Sequence, residues 1–324
     1  MNSPHRQRGI ALITAILIVS LAVIAATAIL SAGSMSIQRT STLQETEKAW
    51  WYATGVEAWV KGILQRDARM NKLDALSDIW AQPVAGLPIE NGFLAGQISD
   101  MQGRFNLNNF GFADAAGQDS EAAFKKWQTV FIRLFEQLEI EPALARPISE
   151  AIKDWVDRDQ NPTPYDGAED NEYLGNSRGS GQPPYRTANR PMMSVTELMA
   201  VKGVTPEIYR ALLPYVSALP LRTTINVNTA PEPVLRALAA QPSPSLEEFI
   251  RSRAEKPIEN IGELTNSGAL TGNDVDIGML GTGSQFFQLR ADANIGNSHV
   301  AIYSLYYRPQ AGAPLVLMRS TDSE

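Results

Sequence analysis

Apolar positions follow one another almost without interruption from Ile10 to Ala32, and no charged residue occurs between Ile10 and Gln38. At ~1.5 Å rise per residue the apolar run makes a helix ~35 Å long, enough for a ~30 Å hydrocarbon core. The pattern predicts one membrane span near the N-terminus, with the remaining residues forming an extramembrane body. A secretory signal peptide would have an apolar stretch of about 7–15 residues with a small-residue cleavage site after it. Here the stretch is longer, and its small residue, Gly9, precedes it. Arg6 and Arg8 lie upstream, so the positive-inside rule keeps the short leader cytoplasmic and puts the body on the other side. Small residues such as Ala11, Ala15, Ala22 and Ala26 suit close contact with other helices.

Beyond the span the pattern keeps a helical period. Ala49, Tyr52, Ala53, Val56, Val60 and Ile63 recur on one face, with Glu45, Glu47, Lys48 and Glu57 on others, so the helix is expected to continue to Leu64 and to lay that face on a sheet. From Gly92 to Asn109 the pattern becomes strand and turn, with Phe93 to Met101, a Gln102-Gly103 turn signal, and Arg104 to Asn108. Partner strands come near the C-terminus: Phe287, Leu289, Ala291 and Ala293 alternate with polar residues, Val300 to Tyr307 is β-branched and aromatic, and Leu315 to Met318 follows. The roughly 175 residues between the two strand groups far exceed a hairpin loop and are read as an inserted domain.

The insert reads as helical. Phe124, Trp127, Phe131, Leu134, Phe135 and Leu138 predict one helix, and Ile148, Ile152, Trp155 and Val156 a second. Ser194-Val-Thr-Glu197, Thr229-Ala-Pro-Glu232 and Ser245-Leu-Glu-Glu248 have capping-box spacing, and Thr205-Pro206 is an N-cap followed by proline. Two units follow, 111–218 and 221–283, with Leu219-Pro220 at the join.

Composition narrows the functional classes. The 324 residues are 44% hydrophobic and 19% charged, with net charge −7; an acidic body is a poor partner for a phosphate backbone. There is no cysteine, hence no disulfide, thiolate nucleophile or cysteine-held zinc. The two histidines, His5 and His299, make neither a metal pair nor a Ser-His-Asp site. No phosphate-binding glycine loop or Gly-x-Ser-x-Gly elbow occurs, and no catalytic residue is expected.

Two further patterns invite a ligand. Leu198 to Pro206, around Gly203, and Ile225 to Pro231 resemble segments of helix-hairpin-helix DNA-binding modules, where backbone amides meet a phosphate at a helix N-terminus. The second hairpin glycine is replaced by Thr205, and no basic cluster accompanies either segment. Packing is the other reading of both. The second pattern is acidic: between Asp154 and Glu172 seven carboxylates stand against one arginine, a density that requires solvation or neutralisation. Asp157-x-Asp159-x-Asn161 has the spacing of the first half of a calcium loop, without the later glycine and glutamate of an EF-hand. The residues alone admit either a solvated loop or a Ca²⁺ loop.

The leader ending in Gly9, the aliphatic helix opening Ile10-Ala-Leu-Ile-Thr, and Trp50-Trp51-Tyr52-Ala53 resemble a type IV pilin or pseudopilin precursor. Most pilins carry Glu at the fifth mature position, here Thr14. A buried Glu there needs a compensating charge from a neighbouring subunit. Together with the helical insert, its absence makes the chain similar to the minor pseudopilin K family of type II secretion systems. That resemblance implies an α+β fold: a pilin-like long N-terminal helix packed on an antiparallel sheet, with a large all-α, SAM-like insertion. The expected divisions are a leader (1–9), a transmembrane and assembly helix (10–32), its continuation with the first strands (33–110), the two helical units, and closing strands (284–324). It implies prepilin peptidase cleavage between Gly9 and Ile10, methylation of Ile10, and a single-pass inner-membrane protein with a periplasmic body. The implied partners are minor pseudopilins I and J and the inner-membrane assembly platform, in a non-enzymatic tip complex that helps start the pseudopilus. It also implies structural Ca²⁺ in the acidic loop, with Asp157, Asp159, Glu169 and Asp170 leading, then Asp166, Asn161 and Asn171. The competing expectation is a DNA-binding minor pilin of a competence system that uses the hairpin-like segments.

Overall fold

The computed structural model describes residues 8–111, 121–180, 183–270 and 277–321. Residues 1–7, most of the expected leader, lie outside the described residues. Helix α1 (Arg8–Met70) is continuous over 63 residues, about 95 Å. From Ile10 to Gln44 every side chain is exposed, so the apolar half projects free of the body. Hydroxyls that would be polar defects in this half fold back on the helix, as when Thr27 Oγ1 donates to Val23 O at 3.0 Å. The second half carries Ala49, Ala53, Val60 and Leu64, all buried. Two alanines at the contact allow close approach to the sheet.

The chain then enters strands β1 (Val84–Ile89) and β2 (Gly92–Asp100). The insert follows, with β3 (Phe105–Asn106), α2 (Glu121–Gln137), α3 (Ala145–Val156), α4 (Asp170–Ser180), α5 (Pro206–Leu212), β4 (Val216–Ser217), β5 (Ile225–Asn226), α6 (Glu232–Leu238), α7 (Pro244–Ser252), α8 (Gly262–Asn266) and β6 (Leu280–Gly281). Strands β7 (Phe286–Ile295), β8 (Ser298–Tyr307) and β9 (Leu315–Thr321) complete an antiparallel sheet of order β1-β2-β7-β8-β9. The α+β expectation holds, and the helical insert interrupts the sheet between the paired neighbours β2 and β7.

Local readings differ in instructive places. Arg104 to Asn108 supplies no strand to the main sheet; Phe105–Asn106 pairs in parallel with Val216–Ser217 inside the insert. The edge strand β1 leaves no alternating signal in the sequence because Gly86 and Pro88 interrupt its pattern, although Pro is tolerated on a sheet edge. Thr205 does cap α5, accepting from Ile208 N. Ser194 caps a short 3₁₀ helix instead of an α-helix. Ser243, not Ser245, caps α7, and Thr229 donates to Asp100 Oδ2 at 2.6 Å in place of capping α6.

Polar contacts orient the body along α1. Thr46 meets Ser298 at the start of β8, at 3.1 Å between hydroxyls, and Asn297 N donates to Glu45. At the other end, Arg308 just past β8 pairs with Asp67 at 2.8 Å. The β2–β7 junction with the insert, where Asp100 faces Phe287, therefore lies at the end of the body away from the projecting helix.

Glu57 is the main departure from the periodic pattern. It is buried beneath the sheet, where Ser304 Oγ and Tyr306 OH donate to its carboxylate and carbonyl and Arg319 Nε donates at 2.8 Å. Burial pushes its carboxyl upward, but the bonds from Arg319 and Ser304 and the guanidinium charge prevail and hold it below the usual range. Breaking one side of such a pair leaves a buried charge unserved. Arg319→Ala is expected to destabilise the body by about 2 kcal/mol, below the range for fully buried pairs because Arg319 is partly solvated. Thermal unfolding of the detergent-extracted full chain measures this, and an unchanged Tm would refute the clamp.

Candidate metal centre and assembly helix

The acidic loop joins two helices that pack through aromatic rings. Trp155 on α3 meets Tyr173 on α4 edge-on at 5.5 Å, and Tyr173 lies 5.2 Å from Tyr185. Between these helices two buried carboxylates shape the loop. Asp154 accepts from Thr163 N at 3.0 Å and from Thr163 Oγ1, and Glu150 accepts from Asp166 N at 3.0 Å. Gly167 is required where the loop folds back, because a Cβ there would lie 2.3 Å from Asp154 Oδ2.

This frame brings Asp157, Asp159 and Glu169 together, with one carboxylate oxygen from each within 4.8 Å of the others. Asp157 and Glu169 are buried and Asp159 is exposed. Asp157 Oδ1 and Glu169 Oε1 are buried without a hydrogen-bond partner, which is costly for carboxylates unless something else neutralises them. Burial raises the Asp157 carboxyl to about 7, helped by the charges of Asp159, Asp154 and Glu169. Burial likewise raises Glu169 to about 7, with Asp154 adding to it against a bond from Thr187. Hard, converging oxygens with unserved lone pairs fit a Ca²⁺-type ion.

The other expected ligands are placed differently. Asp170 sits beside the cluster at the start of α4, but Oδ1 already accepts from Thr187 N and Oγ1 at 3.0 Å, and Oδ2 pairs with Arg186 at 3.5 Å. Asp166 is half-buried, while Asn161 and Asn171 are exposed. Asn161 contributes its N–H to Asp159 Oδ1 at 2.7 Å. Asn189 joins this neighbourhood without a signal in the sequence: its Nδ2 donates to Asp159 O at 2.9 Å and its Oδ1 is buried and unpaired. It stands thirty positions from Asp159, beyond any local ligand spacing.

At the other end of the chain, Gly9 and Ile10 lie in the first turn of α1, and the Ile10 side chain is exposed. Thr14 Oγ1 donates to Ile10 O and Ala11 O, each at 3.0 Å. The hydroxyl is satisfied within its own helix and asks nothing of a neighbour.

The hairpin-like segments are used for packing. Gly203 has φ +83 and faces the Ile148 side chain. Asn226 Nδ2 donates inward to Asp74 O, Asp100 Oδ2 and Ser284 Oγ, and Asn228 Nδ2 donates to Ile258 O at 2.9 Å.

Two profiles of the family described as type II secretion system (T2SS), protein K match residues 103–221 and 225–282. Among curated proteins, type II secretion system protein K of Pseudomonas aeruginosa is 31% identical, covering 97% of this chain and 92% of that one. The protein K of Aeromonas hydrophila is 32% identical over 98% of each chain, and that of Klebsiella pneumoniae is 37% identical over 77% of this chain. A solved chain from the GspK-GspI-GspJ complex of enterotoxigenic Escherichia coli superposes with TM-score 0.74 at 26% identity, covering 88% of this chain and all of that one.

With carboxyls raised by folding, Asp157 and Glu169 hold protons that the unfolded chain has already lost. Their contribution to stability is complete below the ordinary carboxylate range of about 4 and is lost as pH rises to about 7. In chelator-treated full-length protein, stability is expected to fall over that window, and Asp157→Asn to flatten the fall. Thermal melts at stepped pH test this; equal slopes for the two proteins would contradict the cluster's electrostatics.

Proposed function

The chain belongs to the type II secretion system protein K family and is a minor pseudopilin, and from that premise we propose that it caps the pseudopilus tip and helps start its assembly. In this reading it works without catalysis, together with minor pseudopilins I and J, for export of folded proteins across the outer membrane. The carrying observation is the division of α1, whose first half is apolar and bare while its second half is fixed to the sheet. A bare apolar helix enters the inner membrane and then exchanges lipid for the helices of other subunits. The homologous GspK occurs in a complex with GspI and GspJ, which supports the same two partners here.

Prepilin peptidase would remove residues 1–9, leaving Ile10 as the methylated N-terminus, and the assembly platform of the inner membrane would receive the product. The body would be periplasmic. Thr14 makes no demand for a charge ahead of it, as suits a subunit that nothing precedes.

Ca²⁺ would be held by Asp157, Asp159 and Glu169, with Asp170 and the Asn189 amide adjacent. The ion would supply the positive charge that these buried carboxylates lack, tying the loop to α3 and α4. The orphaned oxygens of Asp157 and Glu169 support this.

Two measurements test the function. Mass analysis of membrane-extracted protein is expected to give a chain beginning at methylated Ile10, co-purifying with tagged I and J; an intact Met1 and no co-purification would sink the proposal. For the ion, a chelator is expected to lower the Tm of the extracted protein by several degrees, as linkage requires when a bound ligand is removed. The paired substitutions Asp157→Asn and Asp159→Asn should remove most of that response. A Tm indifferent to chelator would rule calcium out.

A further inference from the structure

A second group of three carboxylates converges where α1 ends. Asp67, Asp74 and Asp78 each place a carboxylate oxygen within 4.8 Å of the others. Oxygens around a single Ca²⁺ at 2.3–2.6 Å stand at most about 4.6–5.2 Å apart, so one ion can reach all three. Asp74 is 1% exposed, and its Oδ1 is buried with no hydrogen-bond partner.

The surroundings leave a cation wanting. Arg308 reaches Asp67 and Asp74, and Ser284 N donates to Asp74 Oδ2 at 2.7 Å. Asp78 Oδ2 accepts from Ala75 N at 2.8 Å and Trp80 Nε1 at 3.2 Å. These bonds fix the carboxylates, but one guanidinium serves two of them and leaves an excess of negative charge. Asp67 also sits in the last turn of α1, where helix carbonyls make the potential more negative and acids are disfavoured. A polar cleft of about 580 Å³, lined by Asn71, Asp74, Ser284 and Arg308 among others, opens beside Asp74. Burial raises Asp74 to about 7, against the opposing charge of Arg308. Burial and the charge of Asp78 raise Asp67.

We propose that Asp67, Asp74 and Asp78 form a second divalent-cation site of Ca²⁺ type, separate from the acidic loop, that locks the end of the assembly helix to the sheet and to the insert. Water from the cleft completes the coordination. The site is weaker than one built only of carboxylates, because Arg308 remains beside it.

The test uses the full chain in detergent with the loop silenced by Asp157→Asn and Asp159→Asn. Calorimetric titration with Ca²⁺ is expected to show one remaining site with Kd on the order of 0.1–1 mM, the range of extracellular calcium modules. Adding Asp78→Asn, which keeps an acceptor for Ala75 N and Trp80 Nε1, should weaken it by about tenfold or more. Asp67→Asn provides the same reading if the first variant does not fold. Tb³⁺ bound in place of Ca²⁺ should emit on tryptophan excitation because Trp80 touches Asp78, and Trp80→Phe should remove most of that emission while calcium binding persists. A loop-silenced chain that takes up no Ca²⁺ at millimolar concentration overturns the proposal and leaves a proton shared by Asp67 and Asp74 as the neutralising species. Affinity unchanged by both Asp78→Asn and Asp67→Asn overturns it as well.

Discussion

Asp100 closes the joint through which the helical insert leaves the sheet. It is the last residue of β2, directly opposite Phe287 of β7. Its carboxylate is buried and receives Gln102 N at 2.8 Å, Asn226 Nδ2 at 2.9 Å, Thr229 Oγ1 at 2.6 Å and Ser284 Oγ at 2.5 Å. Burial alone pushes this group toward neutrality, and the bonds from Ser284, Thr229, Gln102 and Asn226 oppose that shift. The donors come from the chain just after the joint, from the middle of the insert, and from the chain about to rejoin the sheet. A domain inserted between neighbouring strands needs its ends held close, and this one carboxylate holds them.

The same network reaches α1. Asn226 also donates to Asp74 O, and Ser284 N donates to Asp74 Oδ2, so the linker after α1 shares partners with the insert and the sheet. Arg308 adds Asp67 and Asp74 while lying 4.5 Å from the centre of the Phe287 ring. With Glu57 clamped farther up the helix, α1 is fixed along its second half by charges and hydrogen bonds as well as by apolar contact. Buried charges of this kind add little net stability over an apolar core. They do fix register, because a one-turn slip of the helix would strand both Glu57 and Asp67.

What could be read in the sequence follows from the range of the interactions. Helices α2 and α3 were legible because Phe124, Trp127, Phe131 and Ile148, Ile152, Trp155 repeat at a period that the backbone itself imposes. Strand β7 was legible for the same reason, since its buried set alternates through Phe287, Leu289, Ala291 and Ala293. The burial of Glu57 is not legible locally because it depends on Arg319, 262 positions away, and a charge gives no sign in its own neighbourhood of a distant partner. Thr229 fits a capping box locally, yet its hydroxyl is claimed by Asp100, so a tertiary bond wins over a cap worth about 1 kcal/mol. In the acidic loop the spacing of Asp157 and Asp159 is visible in the sequence and the family resemblance adds Glu169, but the nearness of Asn189 depends on how the chain beyond α4 folds back on Asp159.

The position of the joint bears on where such a subunit can stand. The membrane-side contacts, Thr46 with Ser298 and Glu45 with Asn297, and the far contacts of Arg308 fix the body's direction along α1. The insert, attached at the β2–β7 end, lies on the far side of the body from the bare helix. A shaft subunit must offer similar surfaces at both ends, so that the next copy can follow at a constant rise. In the proposed reading, a subunit that carries most of its mass beyond the sheet is not followed in that way, and its bare helix packs on subunits added behind it. Under the proposed function, the uncharged Thr14 at one end and the polar joint at Asp100 at the other answer the same constraint: nothing is added ahead of this chain, and everything is added behind it.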